Sequence, residues 1–271
     1  MRLLLVGHGY LGSAIARVFS AAGWEVRSFS LSGGDDSLAC DVSDRAAVDH
    51  LPDADFIVHC AASGRGGAEA YQRVYVDGCR NLTEKFPGVP LLFTSSTSVY
   101  SQADGSVVTE ESATEPDRET GRMLLEAERI TLNAGGIVAR LAGIYGPGRS
   151  VILRKFLSGE AVIEEDGRRY LNQIHRDDAA RAILHLAKAS LRGEIFNLCD
   201  SMSLTQLECY QRLGEIFNRP LPPSGPRDLE RKRGWTHKRV SNAKLIASGW
   251  QPEFACFTDA VESIASTLQH E

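Results

Sequence analysis

No long apolar run is present in the sequence. The opening one, Leu3 to Val6, is far short of the ~20 residues that cross a bilayer, and no small-residue cleavage region follows it, so neither a membrane span nor a secretory signal is expected. Paired cysteines are also missing. Cys40, Cys60, Cys79, Cys199, Cys209 and Cys256 form no C-x-x-C pair and sit mostly inside apolar runs, which points to reduced, packed thiols, a cytoplasmic protein and no metal site. Basic residues are not in excess: 30 against 35 acidic ones give a net charge of −5, which argues against a nucleic-acid partner. There is no G-x-S-x-G elbow, no H-E-x-x-H helix and no Walker loop with its Lys and Ser or Thr. Serine hydrolases of that type, zincins and P-loop nucleotidases are thereby set aside.

What the chain does contain is alternation. Short β-branched or Leu-rich runs near 2–6, 25–30, 55–60, 90–95 and 136–142 are separated by patterns with apolar residues at three- and four-residue steps near 11–22, 44–50, 68–86 and 117–134. This predicts an α/β fold, a doubly wound Rossmann-type parallel sheet. After Arg140 the pattern changes to Gly/Pro turns, shorter helical stretches, a strand at 194–198 and a proline-rich loop at 219–226, which predicts a small C-terminal substrate lobe. The expected division is 1–142 with 172–200 for the dinucleotide-binding domain, and 143–171 with 201–271 for the lobe.

Gly7-His8-Gly9-Tyr10-Leu11-Gly12 follows the first strand directly and opens the first helix. In that context Gly7 permits the tight turn, Gly9 lets backbone approach a pyrophosphate, and Gly12 allows close helix–strand packing, with Tyr10 and Leu11 carrying the first helical N–H groups. The second strand should end in Asp or Glu if the adenosine ribose is held through a free 2′-hydroxyl. Ser30 stands there instead, with Arg27 nearby, and this pattern favours NADP over NAD.

Further segments fall in a fixed order over nearly the whole chain: Cys40-Asp41-Val42, Val58-His59-Cys60-Ala61-Ala62, Val76-Asp77-Gly78-Cys79-Arg80-Asn81-Leu82, Thr94 to Tyr100, Ile144-Tyr145-Gly146-Pro147, Ile174-His175-Arg176-Asp177-Asp178 and Gly249-Trp250-Gln251-Pro252. Together they resemble the extended and atypical short-chain dehydrogenase/reductases, the NAD-dependent epimerase/dehydratase or nucleoside-diphosphate-sugar epimerase-like group. The resemblance implies that Asp41 and Val42 flank the adenine, that Cys60, Ala61 and Ala62 line the middle of the dinucleotide, and that Ser96 sits beside the nicotinamide with Thr97 next to it toward substrate. The end of a central strand, where open α/β sheets bind ligands, is the expected place for Ser96.

One departure bears on the chemistry. Family members that move hydride use a Tyr-x-x-x-Lys pair on the following helix, the phenol exchanging a proton with alcohol or ketone. Here those positions hold Thr120 and Leu124, and no tyrosine in the chain has Lys four residues later. Threonine is too weak an acid for the role, and leucine carries no charge. In addition, Tyr75 stands where the family's fourth helix often carries Asn, and the glycine loop is one residue short. Substitute groups are Tyr145, at the end of the next strand, with Tyr100 and Glu119 weighed beside it; His59 and His175 fall at structural positions.

Arg227 to Arg239 contains six basic residues against two acidic ones in a chain that is negative overall. Within the substrate lobe that the resemblance implies, Arg231 could hold a diphosphate or carboxylate and Trp235 could stack on a ring, with Arg149 after the Gly-Pro-Gly turn as another anion ligand. The sequence therefore reads as an NAD(P)-binding oxidoreductase or epimerase-like enzyme acting on a nucleotide-sugar or other anionic metabolite, a homodimer being compatible with it. The alternative is a catalytically degenerate NADP-binding sensor.

Overall fold

Leu3, Leu4, Leu5 and Val6 are all buried, which is what a strand covered on both faces of a parallel sheet requires. The computed structural model describes residues 1–64, 66–189, 191–227 and 235–268. Along the chain come β1 (Arg2–Val6), α1 (Tyr10–Ala21), β2 (Glu25–Ser30), β3 (Leu38–Ala39), α2 (Arg45–Asp49), β4 (Phe56–His59), α3 (Ala68–Tyr71), a π-helical turn (Gln72–Asp77), α4 (Gly78–Lys85) and β5 (Leu91–Ser96). A 3₁₀ turn at Thr97–Val99 leads to β6 (Val107–Val108), α5 (Glu119–Asn133), β7 (Ile137–Leu141), β8 (Gly143–Tyr145), α6 (Val151–Ser158), β9 (Ile163–Glu164), β10 (Tyr170–Leu171), β11 (Gln173–His175), α7 (Arg176–Lys188), β12 (Glu194–Leu198), β13 (Leu204–Thr205) and α8 (Gln206–Phe217).

Seven strands form one sheet in the order β12-β7-β5-β4-β1-β2-β3, and the pairings from β3 across to β7 are parallel. This is the expected Rossmann-type α/β architecture. The chain winds outward from β1 to β2 on one side and resumes at β4 on the other, so the switch point lies between β1 and β4, and ligands of such sheets bind outside the carboxyl ends of strands at that place. One helical stretch differs from expectation. The pattern 68–86 is not a single α-helix: it is interrupted by six residues of π-helix at Gln72–Asp77, because the backbone there hydrogen-bonds one residue further along.

The chain divides into two compact units: Met1–Val99 with Thr114–Leu141 and Ala179–Phe196, and Tyr100–Ala113 with Ala142–Asp178 and Asn197–Glu271. Residues 100–113, 172–178 and 197–200, expected with the first half, group with the second, where β11 pairs in parallel with β8. In the first unit Trp24 meets Phe19 and Phe56 edge-on at 5.0 and 6.3 Å between ring centroids. Arg140 and Glu128 are buried together between β7 and α5. The second unit has its own core of Leu153, Phe156, Leu204, Leu213, Phe257 and Ile264 among others. The Gln206 side chain ties the start of α8 to β9, accepting the Glu164 N–H and donating to the Val162 carbonyl.

Candidate functional site

A cavity of about 830 Å³ opens in the first unit at the switch point. Its walls come from the turn after β1 (Gly7, His8, Gly9), the turn after β2 (Ser30 to Ser37), Asp41 and Val42, the turn after β4 (Ala61 to Gly64), and Arg73 and Val74 on the π turn. The three glycines of the motif differ in what surrounds them. Gly7 has φ +109°, and a Cβ on it would lie 2.2 Å from the Ala61 nitrogen. At Gly12 a Cβ would lie 1.9 Å from the Gly7 carbonyl oxygen. Gly9 differs, for a Cβ there would meet nothing within 4 Å. Its missing side chain is required by nothing in the protein itself, and Gly9 lines the cavity. Gly9 is also the N-cap of α1 and gives no side-chain cap, so the helix presents open first-turn N–H groups and the positive end of its dipole.

The other sequence-derived cofactor residues are placed as follows. Ser30, Asp41, Val42, Ala61 and Ala62 line the cavity. Tyr10 and Leu11 open α1. Cys60 stands behind the wall, its thiol donating to the Gly7 carbonyl at 3.1 Å, and burial pushes its pKa up to about 12, so it braces the turn as a neutral group. Arg27 lies outside. It is three residues from Ser30 on a strand whose side chains alternate, hence on the opposite face, and it is paired with Glu25 at 2.9 Å. No cation takes its place on the β2–β3 turn, which brings Asp35 and Asp36 to the cavity instead. Asp41 accepts from Ser43 and from Arg73 at 2.9 Å; burial works to raise its pKa, but these donors outweigh it and hold the carboxyl below its usual range. Two groups were not singled out from sequence. His8, between the first two glycines of the turn, lines the cavity with a buried Nδ1 that has no hydrogen-bond partner among the described residues. Arg73 had no signal beyond its place in a helical pattern.

Ser96 ends β5, and its Oγ accepts the Ser98 N–H at 3.2 Å, so its own proton is not used in that turn. Thr97 is buried at the start of the 3₁₀ turn. Thr120 is the second residue of α5, and Leu124, one turn on, is packed inside.

In the second unit Tyr145 is 1% exposed, wedged edge-on between His175 and Phe257 at 5.3 and 4.8 Å. Burial first, and the nearby Asp200 and Asp178 carboxyls after it, drive its phenol pKa up, and the ring packs as part of the second unit's core. Arg149 is exposed on a turn closed by reciprocal 2.9 Å backbone bonds with Gly146. Trp235 lines a cavity of about 280 Å³ with Arg168, Arg169, Arg227 and His237, and the Arg227 guanidinium lies 4.2 Å from its ring centroid. These arginines face carboxylates: Arg168 with Asp166, Arg169 with Glu164 and Arg227 with Glu165 at 2.9, 3.1 and 2.7 Å. Arg231 lies outside the described residues. Among the described residues no group of three or more His, Cys, Asp or Glu side chains could hold a metal ion, and no helix is long and apolar enough to cross a membrane.

Comparison with known proteins agrees with this geometry. Residues 3–199 match the model of the NAD dependent epimerase/dehydratase family. "Protein YeeZ" of Escherichia coli K12 is 31% identical over 259 residues, spanning 86% of this chain and 89% of that protein. A putative NAD-dependent epimerase/dehydratase from Methylobacillus flagellatus superposes with TM-score 0.80 at 26% identity, covering 98% of this chain and 97% of that one. UDP-glucose 4-epimerase from Thermotoga maritima, solved with UDP-glucose, gives 0.82 at 21% identity, with 98% of each chain covered, a likeness of fold. With its glycine turn, its switch-point cavity and a family match over most of its length, the chain belongs to the NAD-dependent epimerase/dehydratase family.

Proposed function

We propose that the first unit holds a nicotinamide dinucleotide in the switch-point cavity and that the protein is an oxidoreductase or epimerase-like enzyme exchanging hydride with an alcohol or carbonyl of a small anionic metabolite of the nucleotide-sugar type. The observation that carries this is the space over Gly9, bordered by uncapped N–H groups of α1 and by the unpartnered Nδ1 of His8. A pyrophosphate fits that charge and that clearance. When bound, the dinucleotide supplies the hydride carrier; the protein's part is to orient it and to handle protons at the substrate oxygen.

Ser30 supports NADP, since it leaves the ribose 2′ position without the carboxylate that repels a phosphate. The rest of the rim supports NAD more strongly: Asp35, Asp36 and Asp41 face the cavity, while Arg73, its cation among the described residues, is engaged by Asp41. NAD is the dinucleotide we favour. UDP-glucose, present in the Thermotoga maritima neighbour, sets the class of substrate to test first.

The experiment is a thermal-shift titration of the full chain with NAD, NADP and their reduced forms. A ligand that binds only the folded state adds about 2.7 kcal/mol at a hundredfold excess over Kd. A rise in Tm with NAD exceeding that with NADP is expected, and no shift with any dinucleotide overturns the proposal. A second reading is supported by Thr120 and the buried Leu124 alone: a dinucleotide sensor that binds but does not turn over. Hydride transfer by the wild-type protein would exclude it.

A further inference from the structure

Asp41, which the family resemblance sets beside the adenine, has a carboxylate already occupied within the chain. Its Oδ1 accepts the Ser43 N–H at 2.9 Å and the Ser43 hydroxyl at 2.7 Å, and its Oδ2 accepts Arg73 Nη2 at 2.9 Å. Ser43 Oγ lies in turn 3.3 Å from both Nε and Nη2 of Arg73. We propose that Arg73 reads the base of the dinucleotide by stacking its guanidinium plane on the ring, and that Asp41 acts only by holding that plane. The inference rests on the dinucleotide reading above.

The hydrogen bonds define what Arg73 can offer. A guanidinium donates in its own plane, from its edge. Bonds at Nε and Nη2 therefore fix the edge and leave both faces without hydrogen-bond duties. The side chain keeps 56% of its surface exposed and stands on the cavity wall. Three apolar residues, Val42, Ala70 and Val74, line the same cavity, and Ala70, Arg73 and Val74 are spaced three and four apart, which gathers them on one helix face. That stretch is tied to β4, for His59 Nε2 lies 2.8 Å from the Val74 carbonyl.

Apolar side chains beside a fixed, flat cation suit the face of a π-ring. With Asp41 paired to it, Arg73 brings no net charge, which fits a neutral base and not a phosphate. Gly9 lines the same cavity, so a dinucleotide whose pyrophosphate lies over Gly9 has room to lay a base against Arg73. The mode of reading has a consequence for selectivity. Stacking depends on the face of the ring and tolerates changes at its edge. A carboxylate that hydrogen-bonded the base would instead discriminate at the edge, where a mispaired group is costly.

The test is calorimetric, uses the full chain and needs no turnover. Its ligands are NAD, nicotinamide hypoxanthine dinucleotide, whose base carries an oxygen in place of the adenine amino group, and nicotinamide mononucleotide, which carries no such base. Wild type should bind the two dinucleotides within about fivefold of each other, since stacking tolerates the exchange. A wider gap overturns the proposal, because the edge would then be read. Arg73→Leu should lose about two- to thirtyfold for both dinucleotides, the range of a cation–π contact, and should bind the mononucleotide as wild type does. Unchanged NAD affinity overturns the proposal, and so does an equal loss for the mononucleotide, which would make Arg73 a general attraction for phosphate. The double variant Asp41→Asn with Arg73→Leu removes the carboxylate that the single variant leaves unpaired. It should stay as weak as Arg73→Leu; recovery of wild-type affinity would assign the loss to the bare Asp41 charge and overturn the stacking role. A wild type that binds no dinucleotide brings down the functional reading itself, an outcome told apart by wild-type titration before any variant is compared.

Discussion

Arg140 grips Glu128 with two nitrogens: Nη2 lies 2.6 Å from Oε2, and Nε lies 3.1 and 3.2 Å from the two carboxylate oxygens, both side chains being almost wholly buried. Ser95 completes the set, its hydroxyl donating to Glu128 Oε1 at 2.5 Å. The network joins β7, α5 and the end of β5 immediately before Ser96. Removing one charge strands the other in a medium that cannot solvate it. Glu128→Gln should therefore destabilise the protein by about 3–5 kcal/mol, whereas the double replacement Glu128→Leu with Arg140→Met should recover most of the loss. Urea unfolding of the three proteins checks this; a double variant as unstable as the single one would mean that the pair contributes through its geometry and not through mutual neutralisation.

Glycine substitutions in the first turn should separate fold from function. Gly12→Ala forces a Cβ to within 1.9 Å of a backbone oxygen and should lower Tm sharply, since backbone has nowhere to yield. Gly9→Ala meets only open space and should fold with a Tm close to wild type. The same methyl enters the volume assigned to the pyrophosphate, so NAD affinity should fall at least tenfold. Circular dichroism melts with and without NAD measure both quantities, and a Gly9→Ala protein that binds normally would remove the pyrophosphate from this place.

Acid should act through His59. The ring is fully buried, and burial lowers its pKa from 6.5 to about 4 despite the acceptors around it. Below pH 6.5 the unfolded chain takes up a proton that the folded one refuses, so stability is complete above that pH and falls as pH drops toward 4. With one pKa unit worth 1.36 kcal/mol, the loss is about 3 kcal/mol over that window. Urea titrations at pH 7, 6, 5 and 4 should show it, and His59→Gln should flatten the dependence between pH 6.5 and 4. An unchanged slope in that variant would assign the effect to another group.

Much of this architecture was open to reading from the sequence because its signals are local. Leu3 to Val6 is an unbroken buried run, and Gly7, Gly9 and Gly12 answer to sterics of the turn they occupy. Asp41, Val42, Ala61 and Ala62 came from their order along the chain and stand on the cavity. Arg27 was drawn in by nearness in sequence to Ser30, although two-residue alternation already puts the two on opposite faces. Tyr145 could not be separated from a surface phenol by sequence, for its burial depends on Phe257 and His175, residues far along the chain. Likewise the hydrogen bond from Ser63 to Tyr75 spans 12 positions and has no sequence signature.

The π turn can be restated as one residue too many. An α-helix advances about 100° per residue, so a single inserted position rotates everything after it by more than a quarter turn relative to what came before. Deleting one residue from Gln72–Asp77 would let α3 and α4 run on as a continuous helix, and local regularity would improve. It would also swing either Arg73 and Val74, which line the cavity, or the Val76 and Cys79 core face out of place, because one register cannot serve both. The extra residue thus acts as a phase shifter, allowing one stretch of chain to pack a core with one half and address a cavity with the other.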